Sequence, residues 1–161
     1  MTIQKGDRLP DVPLTIATPD GPKPTTSGEF FRGKRVALFA VPGAFTPTCH
    51  KNHLPGFVQQ AATIKGKGID MIAVTGVNDV FVMDAWKKAS GADGKVEFLA
   101  DGSGDFAKAL GLTVDLGARG LGTRSQRYAM VVDDGVVKTL NIEDAPGKAD
   151  ISGAENLLKG L

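Results

Sequence analysis

The chain has 161 residues, 42% hydrophobic and 23% charged, the mix of a single soluble globular domain over residues 1–161. A formal net charge of +1 offers no electrostatic footprint for nucleic acid or an anionic membrane, and no apolar run of about 18 residues could span a bilayer. One cysteine excludes an internal disulfide and a cysteine-based zinc site, and with no apolar h-region at the N-terminus the expected location is a reducing compartment, the cytoplasm by default.

The first 30 or so residues are rich in Pro, Gly and Thr, with turn pairs at Asp20-Gly21 and Ser27-Gly28, and read as an irregular lead-in that can hold a short hairpin. Arg35 to Val41 is a short apolar run that suits a central strand, ended by Pro42-Gly43. After a loop, Leu54, Phe57, Val58, Ala61 and Ile64 recur at helical spacing, which predicts a helix from about Thr48 to Lys65, kinked by Pro55. Ile69 to Thr75 is the next buried strand. Asn78 or Asp79 can cap a helix running to about Ser90. Val96 to Ala100 is a third strand, and Asp105 to Leu110 a short helix with Gly111 just past its end. Gln126 to Asp133 and Val136 to Ile142 flank Asp134-Gly135, a strong hairpin signal. Ser152 with Glu155 three residues on reads as the capping box of a final helix. This order predicts an α/β fold, a thioredoxin-like mixed central sheet flanked by helices on both faces.

The chemically informative segment is Pro42-Gly43-Ala44-Phe45-Thr46-Pro47-Thr48-Cys49, between a buried strand and a helix. Cys49 falls in the first helical turn, where backbone N–H groups are unpaired and the helix dipole is positive. Both favour thiolate over thiol. A free cysteine is only a few per cent thiolate at neutral pH, and a helix end supplies about 0.3–2 kcal/mol, so a nearby cation, most simply an arginine, is needed as well. The alternative for any lone cysteine is a small core residue.

Pro42, Thr46 and Cys49 match the Pro-x-x-x-Thr-x-x-Cys motif of peroxiredoxins. The longer string Val41 to Cys49, with His53-Leu54-Pro55-Gly56-Phe57, resembles the type II group (subfamily five) in particular. Val77-Asn78-Asp79, Phe81-Val82-Met83, Ala85-Trp86, Ala100-Asp101-Gly102 and Arg127-Tyr128-Ala129-Met130-Val131-Val132 extend the resemblance from about Gly6 to the C-terminus. It implies a thiol-dependent peroxidase that reduces hydrogen peroxide and organic hydroperoxides. Cys49 would attack the peroxide, Thr46 would offer its hydroxyl, Pro42 would shield the thiolate, and Arg127 would hold thiolate and peroxide. Arg124 is a rival for the arginine role, though as a residue three positions from the matched strand it reads better as a solvated loop charge. His53 matches a histidine of the type II sequences and suits structural hydrogen bonding. Trp86 reads as core or dimer contact.

The chain departs from many type II relatives in lacking a second, resolving cysteine. The late position reads Gly147-Lys148-Ala149-Asp150, and the plant-like position is Val74. An external thiol, glutathione with glutaredoxin or thioredoxin, is therefore expected to reduce the oxidised Cys49. The resemblance also implies a homodimer paired through loops near Phe45 and Phe81. No metal, haem or flavin is expected. His50 and His53 lack a motif carboxylate, and Phe106 and Leu112 stand where a calcium loop starting at Asp101 needs Gly and Glu. The rival readings are a thiol–disulfide oxidoreductase and a redox-sensing binding protein.

Overall fold

Alternating apolar residues of β3 (Arg35–Ala40) and the residue after it divide between two cores. Ala37, Phe39 and Val41 join one cluster, and Val36, Leu38 and Ala40 the other. A strand buried on both faces needs a layer on each side. The computed structural model describes residues 2–161 and supplies both layers. The other strands of the main sheet are β1 (Pro13–Thr18), β2 (Gly21–Thr26), β4 (Met71–Gly76), β5 (Glu97–Ala100), β8 (Tyr128–Asp133) and β9 (Val136–Ile142). They form a seven-stranded sheet in the order β2-β1-β5-β4-β3-β8-β9. The β3–β4 and β4–β5 pairs are parallel and the remaining pairs antiparallel. This is the mixed thioredoxin-like sheet expected from the order of elements.

Helices α2 (Leu54–Gln59), α3 (Ala61–Gly66), α4 (Val80–Ala89) and α6 (Ala154–Lys159) bury Leu54, Phe57, Ile64, Met83, Trp86 and Leu157 against one face. Helices α1 (Ser27–Phe31) and α5 (Asp105–Leu110) bury Phe30, Phe31, Phe106 and Leu110 against the other. Among the described residues no helix is long and apolar enough to cross a membrane. Asp134 and Gly135 both have positive φ, 49° and 81°, so the β8–β9 hairpin closes on the turn predicted for that pair.

The short hairpin allowed for in the lead-in forms as β1 and β2, with β2 carrying Pro22 and Pro24 at the sheet edge. Three local expectations change. Ser27-Gly28 is not a turn but the start of α1, whose Thr26 side chain accepts from Glu29 N. The single kinked helix from Thr48 to Lys65 is instead a π-helical turn, Cys49–His53, followed by α2 and α3. Leu54 N donates five residues back to Cys49 O, and Pro55, without an N–H, sits in the first turn of α2. A proline removes the bond that would have enforced α geometry here, and the wider turn absorbs the loss. Finally, the Ser152–Glu155 capping box does not form. Gly153 is the N-cap of α6, because Ser152 is engaged elsewhere. A small two-stranded sheet, β6 (Thr113–Asp115) with β7 (Thr123–Ser125), follows α5 and delivers the chain to Arg127.

Candidate active site

Cys49 stands at the head of the π turn with its side chain fully buried, at 0% exposure. Two segments converge on its sulfur. The β3–π-turn loop brings Thr46, whose Oγ1 lies 2.9 Å from Cys49 Sγ and 2.7 Å from Gly43 O. The entry to β8 brings Arg127, whose Nη2 donates to Sγ at 2.9 Å. Pro42, at the end of β3, is buried in the same loop and presents no N–H. The structure thus brings Thr46 and Arg127 onto Cys49, with Pro42 buried in the loop that carries Thr46. The core-residue alternative for Cys49 is half right, since it is as buried as any core side chain. A guanidinium on the sulfur is not, however, what a packed thiol needs.

Thr46 carries one hydroxyl proton for two acceptors. When the sulfur is a thiol, S–H can donate to Oγ1 while the hydroxyl donates to Gly43 O. When it is a thiolate, the hydroxyl turns to the sulfur, and Gly43 O keeps its bond from Thr46 N at 3.3 Å. The hydroxyl does not cap the helix. That duty falls to Thr46 O, which accepts from His50 N at 2.8 Å.

Arg127 is 2% exposed and held at every nitrogen. Besides the sulfur contact, Nε donates to Pro146 O at 3.0 Å and Nη1 donates to His53 Nδ1 at 2.9 Å. A guanidinium only donates, so Nδ1 must be bare and the proton sits on Nε2, which donates to Ser152 O at 2.9 Å. Burial, chiefly, and the neighbouring Arg127 charge hold His53 neutral, its pKa lowered to about 3 against the opposing pull of the Ser152 carbonyl. Stacking fixes the imidazole's platform. Phe39 and Phe57 lie face to face at 4.0 Å, and His53 packs 4.9 Å from Phe39. His53 thus makes the structural hydrogen bonds expected of it, one to Ser152 O and one from Arg127.

Arg124 is not a solvated loop charge. It is half-buried, donating from Nε to Leu121 O at 2.8 Å and from Nη1 to Pro42 O at 3.3 Å, so it braces the loop rather than the sulfur. Asn78, one of two candidate caps of α4, leaves that task to Asp79 and accepts from Ala44 N at 2.9 Å. Trp86 is core, edge-on to Phe98, and its Nε1 donates to His50 Nδ1 at 3.1 Å. Asp101 accepts from Phe106 N and Ala107 N at the start of α5. Missing from the sequence reading were Gly43, Asn78 and the 143–152 segment as supports of the site. Gly43 and Asn78 left traces there, within the Val41 to Cys49 and Val77-Asn78-Asp79 matches.

A buried sulfur held by a guanidinium and a hydroxyl, on a thioredoxin-like sheet, defines the class of thiol-dependent oxidoreductases. Comparison with known proteins narrows it. The Redoxin family model matches residues 4–158. Peroxiredoxin-2E, chloroplastic, of Arabidopsis thaliana is 49% identical over 164 residues, covering 99% of this chain and 70% of that protein. Peroxiredoxin-2B of the same plant is 44% identical, covering 99% and 98%. The crystal structure of reduced Prx3 from Vibrio vulnificus in complex with H2O2 superposes with a TM-score of 0.93 at 49% identity, covering 99% of each chain. The chain belongs to the redoxin family, and within it to the type II peroxiredoxins, as a form with one cysteine.

Proposed function

We propose that the protein reduces hydrogen peroxide and organic hydroperoxides at Cys49 and is regenerated by an external thiol. The observation that carries this is the pair of donors on one buried sulfur, Arg127 Nη2 and Thr46 Oγ1, each 2.9 Å away. The thiolate attacks one peroxide oxygen, the O–O bond breaks, and the departing alkoxide takes a proton to give ROH, leaving Cys49 as sulfenic acid. Arg127 stabilises charge on sulfur and the peroxide oxygens, Thr46 orients the nucleophile, and Pro42 excludes water. A thiol RSH then converts the sulfenic acid to a mixed disulfide with loss of water, and a second RSH releases RSSR and restores the thiol.

The external thiol follows from the absence of a partner. Cys49 is the only cysteine, and Val74, at the plant-like resolving position, is a buried core residue. Glutathione with glutaredoxin and thioredoxin are the two candidates, both at home in the reducing cytoplasm that the single free thiol favours. The Vibrio vulnificus protein, whose structure carries H2O2, supports the peroxide class. Intact mass after one equivalent of peroxide tests the scheme. A monomer heavier by one oxygen, then by one glutathione when that thiol is added, is expected. A Cys49–Cys49 cross-linked dimer forming as fast as peroxide disappears would overturn external resolution, and an unmodified Cys49 after full peroxide consumption would overturn the peroxidase reading. Turnover with glutaredoxin against turnover with thioredoxin identifies the reductant.

A further inference from the structure

Two of the groups that aim Arg127 depend on one irregular segment. Pro146 O holds Nε, and Ser152 O holds the His53 ring that receives Nη1. Both carbonyls lie on the connection between β9 and α6, which has no strand or helix of its own. An unsupported loop cannot hold two carbonyls to hydrogen-bond precision. Its support is a buried clasp. Glu143 Oε2 accepts from both Ser152 N and Ser152 Oγ at 2.7 Å. Glu143 is 7% exposed and Ser152 0%. Glu143 N in turn donates to Arg127 O at 2.9 Å. The segment therefore starts on the backbone of Arg127 and returns, through Ser152 and His53, to its side chain. A further tie, from Thr48 Oγ1 to Gly147 O at 3.2 Å, fastens it to the residue before Cys49.

We propose that Glu143 and Ser152 are positioning residues of the peroxidase reaction, their clasp fixing the two carbonyls that aim Arg127 at Cys49, one of them directly and the other through His53. Burying a carboxylate costs several kcal/mol unless strong hydrogen bonds offset it. A lone stability function would be met more simply by an apolar pair. What the shared acceptor adds is stiffness. It gathers both donors of one residue on one oxygen, so the Ser152 carbonyl has a single direction.

The inference rests on the role proposed for Arg127, and the experiment separates the two. The second-order rate constant for oxidation of Cys49 by hydrogen peroxide is measured in Arg127→Gln, Glu143→Ala, Glu143→Gln, Ser152→Ala and Val137→Ala. Val137, buried in the opposite core cluster, controls for lost stability. The His53 tautomer is read in the same proteins by 15N NMR of labelled histidine. Glu143→Ala and Ser152→Ala are expected to slow oxidation by about 10- to 100-fold, the usual cost of losing a group that orients a reacting one. They should also mix the His53 tautomers. Glu143→Gln keeps an acceptor oxygen for both donors and should recover most of the rate. Val137→Ala should change neither readout. If Arg127→Gln oxidises at the wild-type rate, the role of Arg127 itself fails. If Arg127→Gln is slow but Glu143→Ala and Ser152→Ala keep the wild-type rate and tautomer, the clasp is overturned. It is equally overturned if Val137→Ala slows oxidation as much, or if Glu143→Gln recovers nothing. Should Glu143→Ala not fold, Ser152→Ala and Glu143→Gln carry the same decision.

Discussion

Arg127 has three bonded nitrogens and three different partners, a sulfur, a ring nitrogen and a carbonyl. A lysine offers a point charge and cannot span that fork. Arg127→Gln should lower the rate constant for peroxide by about 10²–10³-fold, the usual effect of removing a donor from a developing charge, and Arg127→Lys should restore little of it. Stopped-flow oxidation followed by loss of thiol checks both. His53 makes a second prediction, about pH. Its folded pKa of about 3 lies below the ordinary 6.5, so the unfolded chain takes up a proton first as pH falls. The stability His53 contributes is whole above 6.5 and drains away between 6.5 and 3, reaching about 5 kcal/mol at about 1.4 kcal/mol per pH unit. Asp101 works the other way. Burial raises its carboxyl, so its contribution is present in acid and is lost as pH rises through its folded value. Urea midpoints from pH 7 to 4, in wild type and His53→Gln, isolate the histidine because Asp101 is common to both. The wild-type curve should fall more steeply, and equal slopes would contradict the neutral imidazole.

At the scale of elements, the active-site loop shows what a sequence can and cannot tell. Cys49 at a helix start after Pro-Gly was legible because strand and helix periods are local, and Arg127 was legible through the family resemblance of the strand it leads. The π turn was not, since one widened turn leaves the apolar spacing of Leu54, Phe57 and Ala61 unchanged. Nor was the fate of Ser152. Its spacing to Glu155 satisfies a capping rule, but the fold presents Glu143, nine residues earlier, with a charge and a buried site. The His53–Arg127 contact spans 74 residues, so neither residue's neighbourhood could announce it. Gly43 yields a prediction at this scale. A Cβ there would meet Thr46 Cγ2 at 3.0 Å and Arg124 Nη1 at 3.2 Å, so Gly43→Ala must push either the nucleophile's hydroxyl partner or the brace on Pro42. Oxidation should slow by roughly tenfold or more, since small misplacements near reacting atoms are costly, while thermal unfolding shifts little. An unchanged rate would mean the loop yields without disturbing Thr46.

For the molecule as a whole, the proposed homodimer has a visible surface to use. Phe45 and Phe81 are exposed at 46% and 72%, and the first lies 6.4 Å from the Trp86 ring. Phe45 also holds a left-handed φ of 64°, an unfavourable conformation for a bulky residue that projects its ring outward. Light scattering of the reduced protein at tens of micromolar, roughly a test of micromolar affinity, should give the dimer mass, and Phe81→Asp should give the monomer. A monomer in wild type would leave those rings without a partner of their own kind.

The two borders of the seven-stranded sheet bear on how such a protein survives being made in quantity. A bare strand border is a template on which further chains can add. On one side β2 has Pro22 and Pro24 among its six residues, so two of its amides have no hydrogen to offer a newcomer, and exposed Lys23 repels a second copy. On the other side the N-terminal segment lies along the turn and start of β9, with Gly6 N on Val137 O, Val137 N on Asp7 O and Leu9 N on Gly135 O, all within 2.9 Å. The protein thus meets its own copies with one border chemically blunted and the other partly occupied, and crowding need not turn it into fibre.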